Sequence, residues 1–376
     1  MSEKRILISS LLKPVNDTRM YGKIGLSLCR LPQVRVHVCG YAAPAPSGLP
    51  PNMELHPLFY FKRLSLGRLT AQTTYYRFLK RLNPDLIIVC THELLLPSYL
   101  YAKERNCKLV YDVQENYTLN LTKQQNYAQG LKQLMAFGVG NVEKLLAKGV
   151  AHFLVAEQSY LQELPFLGHN YTLIENKYKA NTTGQQYINT PVRLSQEPLR
   201  LLYTGTIAVE YGIFEAISLA RKLHSIAPDT RLTVIGYCAK EETWQRLLQE
   251  VQGISYIRLI GGRSLVPHDQ IIREVARANV ALLPYQPNES TFRCIPTKLY
   301  EYMAHAVPML VQQNPLWHRI VELHQAGLSI DFTTTPAAVL LKQLKGREYY
   351  TNGIPEDVFW QTEEAKLLPL IENILK

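Results

Sequence analysis

Short apolar runs alternate with amphipathic stretches along almost the whole chain, and this alternation limits the fold more than any other feature. In the first half, the runs that we expect to be strands are Arg5–Ser9, Val34–Gly40, Asn52–Pro57, Asp85–Cys90, Lys108–Asp112 and Ala151–Val155. Segments with helical spacing lie between them, among them Arg19–Leu31 and Ser65–Leu82. Strands that alternate with helices predict parallel β-α-β units, and strands that are apolar throughout predict a sheet covered on both faces.

A polar segment with weak periodicity, Asn176–Pro198, interrupts this pattern and is the expected linker. A second alternation follows, with expected strands at Leu199–Tyr203, Arg231–Ile235, Ile254–Leu259, Val280–Pro284 and Pro308–Val311. The predicted fold class is therefore α/β, with two Rossmann-like doubly wound domains at 1–176 and 177–354. A last helix is expected within 355–376. Open sheets of this kind bind ligands in crevices at the carboxyl ends of their strands.

Composition excludes several classes of protein. The 376 residues are 47% hydrophobic and 19% charged, which is typical of a globular protein large enough for two domains. The formal net charge of +10 favours an anionic partner, such as a nucleotide or a membrane surface. Nucleic acid is not expected, because no long basic run or zinc-finger spacing occurs. The six cysteines are scattered, and neither a signal peptide nor an apolar run of membrane length is seen, so we expect a cytoplasmic protein.

Familiar catalytic motifs are absent from the sequence. No G-x-G-x-x-G follows the first strand, and no G-x-x-x-x-G-K-[ST] occurs. Dinucleotide oxidoreductases and P-loop NTPases therefore lose their main support. The ten histidines include no H-E-x-x-H, so no catalytic metal site is expected, and no G-x-S-x-G elbow occurs.

The segment Asn288–Pro308 contains the strongest candidate site. Pro296 is expected at the first position of a helix, where its missing N–H costs nothing. The amides of such a helix start bind anions, yet Lys298 lies in the first turn, where the helix dipole disfavours a cation. An anion bound between the helix-start amides and Lys298 would explain why a cation occupies the first turn. Glu301 follows at spacing i, i+3, where it can accept hydrogen bonds from sugar hydroxyls. The alternative is an ordinary solvated pair on a surface helix.

The stretch PTKLYEYMAHAVP resembles the nucleotide-binding helix of GT-B fold retaining glycosyltransferases, specifically glycosyltransferase family 4, whose usual form is P-x-K-L-x-E-Y-M-A-x-G-x-P. KRILISSLLKPVNDTRMYGKIGLSL, LVYDVQEN and LLYTGTIAVEYGI resemble other segments of that family, so the resemblance covers nearly the whole chain. It implies an acceptor-side domain at 1–176, a nucleotide-sugar domain at 177–354, and a cleft between them. It also implies that the helix at 355–376 crosses back to the first domain.

The resemblance further implies roles for particular residues. Glu301 would bind the donor ribose, and Lys298 would bind the diphosphate with the helix-start amides at Pro296 and Thr297. The other implied positions are Gly205 and Thr206 beside the diphosphate, Gly262 and Arg263 beside the base, and Asp112 and Glu115 beside the transferred sugar and acceptor. The implied reaction is metal-independent transfer, with retention, from a UDP- or GDP-type sugar to a hydroxyl, and no cofactor is expected. Cell-surface glycan or polysaccharide synthesis is the expected context.

Four positions depart from the family pattern. Arg293 stands where a carboxylate is expected eight residues before Glu301. Thr206 and Tyr211 occupy places where the family often has Arg and Lys, and Gln114 occupies that of a His. Arg293 and Lys298 would then supply the positive charge for the phosphates.

The sequence is compatible with two rival functions. The departures favour a non-catalytic nucleotide-sugar-binding or partner subunit, and a sugar-nucleotide epimerase of similar fold is the other alternative. A glycan or a lipid-linked molecule is the expected acceptor. Basic and aromatic residues in Phe59–Arg81 suit peripheral contact with the inner face of a membrane, but they equally suit an ordinary solvated helix.

Overall fold

The computed structural model describes residues 3–61, 65, 67–123, 129–180, 190–194, 198–288 and 292–376. The chain forms two compact units, one of Met1–Lys179 with Trp360–Lys376 and one of Ala180–Phe359. The divisions expected at 176 and 354 fall a few residues before these boundaries. Residues 181–189 and 195–197 of the expected linker lie outside the described residues.

The first unit contains a seven-stranded sheet. Its strands are β1 (Lys4–Pro14), β2 (Val34–Tyr41), β3 (Met53–Phe59), β4 (Leu86–Val89), β5 (Lys108–Val113), β6 (His152–Val155) and β7 (Tyr171–Leu173). Their order is β3-β2-β1-β4-β5-β6-β7, and neighbouring strands are parallel throughout. All four residues of β4 are buried, as a strand covered on both faces requires. The predicted parallel sheet is thus confirmed.

Helices connect these strands. They are α1 (Leu26–Leu28), α2 (Gly67–Leu82), α3 (Leu95–Arg105), α4 (Tyr117–Lys123), α5 (Gln129–Leu146) and α6 (Tyr160–Glu163). The single helix expected at Arg19–Leu31 is wrong in detail, because a π-helical turn over Met20–Gly25 precedes α1. A Cβ on Gly25 would lie 2.9 Å from the carbonyl oxygen of Met20. Gly25 therefore allows the backbone to pack closely within this wider turn.

The second unit contains a six-stranded sheet and a two-stranded one. The strands are β8 (Val192–Arg193), β9 (Arg200–Thr206), β10 (Arg231–Tyr237), β11 (Ile257–Gly262), β12 (Val280–Leu283), β13 (Met309–Gln312), β14 (Gly327–Ile330) and β15 (Glu348–Tyr349). The larger sheet has the order β11-β10-β9-β12-β13-β14 and is parallel, whereas β8 and β15 pair antiparallel. Its helices are α7 (Ile213–Ile226), α8 (Glu241–Val251), α9 (His268–Arg277), α10 (Thr297–Ala304), α11 (Pro315–Leu323) and α12 (Ala337–Lys345).

One strand of this sheet differs from its prediction. The strand expected at Ile254–Leu259 begins three residues later, because a turn with Gly253 in a left-handed conformation (φ 74°) separates it from α8. Gly261 and Gly262 extend β11 past the predicted strand and pair with Gly236 and Tyr237 at the end of β10.

The final helix α13 (Trp360–Leu375) belongs to the first unit. Trp360, Leu367 and Ile371 are fully buried in the core around β1, and the indole N–H of Trp360 donates to Ser27 Oγ at 2.8 Å. Glu363 is also fully buried and forms an ion pair with Lys177 at 2.8 Å. The expected return of the last helix to the first domain is therefore confirmed. Across the described residues, helices of bilayer-spanning length and apolarity are absent.

Candidate functional site

The carboxyl edge of the second sheet brings together most of the predicted site. The strand order reverses between β9 and β12, which are neighbours although they lie far apart in the chain. Ligands of open α/β sheets bind at such a reversal, outside the carboxyl ends of the strands. Gly205 and Thr206 end β9, and Pro284 and Tyr285 follow β12 at the same edge.

Lys298 lies against this reversal. A Cβ on Gly205 would come within 2.6 Å of Lys298 Cε and 2.7 Å of its Nζ, so the side chain packs directly over the glycine. Lys298 Nζ also faces three aromatic rings, at 5.6 Å from the centroid of Tyr203, 5.4 Å from that of Tyr285 and 6.0 Å from that of Tyr211. These distances are within the range of cation–π attraction. The aromatic cage formed by Tyr203, Tyr211 and Tyr285 thus surrounds the ammonium group.

Burial in this cage lowers the pKa of Lys298 to about 8, although the carboxylate of Glu301 opposes the shift. A buried ammonium that has lost water gains most from an anion placed beside it. The position is therefore suited to a phosphate, and the bare protein holds the cation at a cost in stability.

Two glycines allow close approach of the backbone at this edge. Gly205 has a φ of 92°, a conformation that favours glycine, and any side chain there would displace Lys298. Gly262 has a φ of 80°, and a Cβ there would lie 2.4 Å from the ring of Trp244. Register places Gly236 beside Gly205 and Tyr237 beside Gly262, so the ends of β9, β10 and β11 form one edge.

Arg263 is held by the loop that follows β10. Its Nη1 donates to the carbonyl oxygens of Cys238 at 2.7 Å and Ala239 at 2.9 Å, and its Nε lies 3.2 Å from Glu241 Oε2. The side chain joins the loop after β10 to the end of β11, next to Gly262. Any contact of Arg263 with a base would come from the remaining exposed face of the guanidinium.

Helix α10 begins one residue later than expected. Pro296 is its N-cap, with a φ of −59° and a ψ of 133°, and Thr297 is the first helical residue. Leu299 N donates to Pro296 O at 2.9 Å, so the amides of Thr297 and Lys298 precede the first hydrogen bond of the helix. Arg293 is exposed in the turn before this helix.

Glu301 lies one turn after Lys298 on α10 and is near a residue that was not expected. His268 Nε2, at the start of α9, lies 3.7 Å from Glu301 Oε1. In the sequence, Pro267 marks the start of α9, but it does not indicate that the start of this helix lies beside Glu301.

The two remaining candidates lie in the first unit. Asp112, on β5, is fully buried and forms a two-pronged pair with Arg19, whose Nη2 lies 2.7 Å from Oδ1 and whose Nε lies 3.0 Å from Oδ2. Gln114 Nε2 donates to Asp112 Oδ2 at 2.5 Å, and Gln114 Oε1 accepts a hydrogen bond from Lys13 Nζ. Both carboxylate oxygens of Asp112 are thus engaged.

Glu115, in contrast, is exposed. Its Oε2 accepts a hydrogen bond from Asn120 Nδ2 at 3.2 Å. The local sequence places Asp112 and Glu115 near one strand end, but the structure separates them into a buried ion pair and a solvated carboxylate. Their predicted roles at the sugar and acceptor stay predictions.

Known proteins resemble this chain both in a sequence family and in their folds. Residues 188–350 match the family of glycosyl transferases group 1. Curated proteins give no match to the sequence. Among solved structures, a sucrose-phosphate synthase from Thermosynechococcus elongatus is similar over 99% of both chains, with a TM-score of 0.69 and 13% identity.

Two further structures are similar over nearly all of their length. HepE from Anabaena, solved in complex with UDP and glucose, has a TM-score of 0.63 at 12% identity, covering 98% of this chain and all of the other. A glycosyltransferase from Rickettsia africae has a TM-score of 0.63 at 12% identity and covers both chains fully. The chain therefore has the GT-B glycosyltransferase fold, and its residues 188–350 carry the domain of the group 1 glycosyl transferases.

Proposed function

We propose that this protein transfers a sugar from a nucleotide-diphosphate sugar, of UDP or GDP type, to a hydroxyl acceptor with retention of the anomeric configuration. We assign it to the synthesis of cell-surface glycan or polysaccharide. The observation that carries the proposal is the half-buried Lys298 ammonium, packed on Gly205 at the reversal of a parallel sheet. Similarity to a protein that was solved with UDP and glucose supports the same donor class.

The proposed chemistry depends on charge at the leaving group. When the bond between the sugar C1 and the phosphate oxygen breaks, negative charge develops on the diphosphate. Preorganised donors that face this charge accelerate the reaction, and one such donor is worth about 10²–10³ in rate. Lys298 and the amides that start α10 supply a cation and N–H donors. Arg293, exposed before the helix, supplies a second cation, so the reaction needs no metal.

The acceptor proton has a route that needs no side-chain base. We propose that a phosphate oxygen of the departing diphosphate removes it while the acceptor oxygen bonds to C1 on the same face. Gln114 cannot take a proton, and the carboxylate of Asp112 is engaged by Arg19. Gly262 and Arg263 then lie beside the base of the donor, and Glu301 beside the ribose.

The ribose contact gives the first prediction. Replacing Glu301 with Gln is expected to weaken UDP or GDP binding about tenfold, because a hydrogen bond to a charged acceptor contributes about 1.5–3 kcal/mol. Calorimetric titration of the purified protein with each nucleotide measures this. Glu322→Gln is the matched control, since Glu322 is a surface carboxylate of the same unit with 45% of its side chain exposed. Equal affinity in the Glu301 variant and the control would argue against the ribose contact.

An apolar groove in the first unit supports a lipid-linked acceptor. The cavity of about 660 Å³ lies between α2, α3 and α5, and its lining includes Leu96, Leu100 and Val142. Both leucines are 49% exposed, which is a large apolar surface to leave in water. On α2, Arg77, Lys80 and Arg81 line a neighbouring depression, and this helix has no acidic residue. Apolar and basic surfaces side by side match an acyl chain with an anionic headgroup.

Vesicle binding tests this acceptor class. We expect the protein to sediment with vesicles of equal parts phosphatidylglycerol and phosphatidylethanolamine, and Leu100→Asp to reduce the bound fraction severalfold, because a charge in the groove opposes entry of acyl chains. Leu323→Asp is the control, since Leu323 is 70% exposed on α11 of the other unit. A wild-type protein that stays in the supernatant, or two variants that bind equally, would exclude the lipid proposal.

A further inference from the structure

A cluster of three potential metal ligands lies on one face of the first sheet, apart from the residues assigned above. His37 is on β2 and pairs in register with Glu54 on β3. His56 follows Glu54 by two residues on the same strand, so its side chain points to the same face. The two imidazoles come from positions 19 residues apart, and no local motif joins them.

The three ligand atoms have the spacing of a metal site. His37 Nδ1 lies 3.0 Å from His56 Nε2 and 3.6 Å from Glu54 Oε2, and His56 Nε2 lies 4.0 Å from the same oxygen. In a tetrahedral zinc site, bonds of about 2.0–2.2 Å hold neighbouring ligand atoms about 3.3–3.5 Å apart. Each of the three distances is within about 0.7 Å of that spacing, so small side-chain rotations suffice to bind an ion. We propose that His37, Glu54 and His56 form a binding site for a divalent transition-metal cation of the zinc type.

The groups around the cluster orient its ligands. Arg35 Nη1 binds Glu54 Oε1 at 3.2 Å, which leaves Oε2 directed at the two imidazoles. Arg35 also binds Glu3 through Nε at 2.9 Å. Two carboxylates thus surround one guanidinium, and their charges sum to −1 before a cation binds. Hydrogen bonds of this kind to a ligating carboxylate hold it in position.

One side of the cluster is exposed to solvent, and the other side packs against the protein. His37 is 3% exposed and the ring of His56 packs on that of Phe78 at 4.8 Å, whereas half of the Glu54 side chain is exposed. Burial lowers the pKa of both imidazoles. The exposed side leaves a fourth position for water. Since β3 is the edge strand of its sheet, a bound ion would cross-link it to β2.

Metal titration of the full chain tests the site. After treatment with EDTA, the protein is titrated with Zn²⁺ in competition with a chromophoric chelator. We expect one equivalent to bind, with at least about a tenfold loss of affinity in Glu54→Gln and a larger loss in His56→Ala. His152→Ala is the control, because His152 lies on β6 and binds Asn170 and Thr172 instead. Glu54 is at the surface, so its variant keeps the proposal testable if His56→Ala folds poorly.

Cobalt identifies the ligands. Co²⁺ bound to His37, Glu54 and His56 should give visible d–d bands without the intense sulfur-to-cobalt band of a thiolate. A thiolate band would assign the metal to Cys29 or Cys294, the cysteines that are partly exposed, and would overturn the proposal. Absence of stoichiometric Zn²⁺ binding, or equal affinity in Glu54→Gln and His152→Ala, would overturn it as well. None of these outcomes depends on glycosyl transfer, because the readout is metal binding.

Discussion

Replacing Lys298 with Met is expected to lower the rate of sugar transfer by about 10²–10³-fold without unfolding the protein. Met fills the space over Gly205 and within the aromatic cage, but it cannot offset charge on a departing diphosphate. Transfer or hydrolysis of a UDP- or GDP-sugar by the purified protein measures the loss. Lys222→Met is the matched control, since Lys222 is an exposed lysine on α7 of the same unit. Full activity in the Lys298 variant would contradict the proposed role.

The same variant should be more stable than the wild type when no donor is present. The pKa of Lys298 is about 8 in the folded protein and 10.5 ordinarily. Between these values the unfolded chain binds the proton more tightly, so stability rises with pH through this window and the full cost applies below about pH 8. At pH 7 the cost is at most about 3 kcal/mol, from 1.36 kcal/mol per pKa unit. Urea denaturation at pH 7 and at pH 10 compares the two proteins.

The affinity for the donor should also depend on the ionisation of Lys298. Above about pH 8 the free protein loses the ammonium charge of Lys298, so wild-type affinity for UDP or GDP should fall by up to about tenfold per pH unit. The Lys298→Met variant should bind UDP or GDP weakly, and its affinity should not fall further above this pH. Parallel pH profiles in the two proteins would show that another group holds the phosphates.

Replacing Asp112 with Ala is expected to lower the free energy of unfolding by about 3–5 kcal/mol, because Arg19 then becomes an unpaired buried charge. Arg19 is 3% exposed and makes its two-pronged pair with a carboxylate that is fully buried. Chemical denaturation measures the loss. Glu115→Ala is the control, since that carboxylate is exposed nearby and should cost little.

A double variant separates a structural role of Asp112 from a role at the sugar. Changing Arg19 to Met together with Asp112 to Leu removes both charges, so most of the lost stability should return. If Asp112 acts only through this pair, the double variant should also recover transfer activity once the folded fractions are matched. A double variant that is stable but inactive would place Asp112 at the reaction, as the family resemblance implied.

Local patterns in the sequence were sufficient for most of the second sheet and its strongest candidate residues. Lys298 and Glu301 are three residues apart on a helix, and that spacing alone places them on neighbouring turns. Some elements of this sheet escaped prediction, among them β14 and α11. Helix α11 did carry a local signal, since Asn314 caps it through Oδ1 and Pro315 follows.

By itself, the sequence determined the alternation of strands and helices, the parallel sheets that follow from it, and the cation and carboxylate on α10. Tertiary structure alone decided what surrounds those groups. The aromatic cage, the Arg19–Asp112 pair and the cluster on β2 and β3 each join residues that are distant along the chain. Their meeting depends on which strands become neighbours and in what register, and hydrophobic periodicity within one segment carries no information about either.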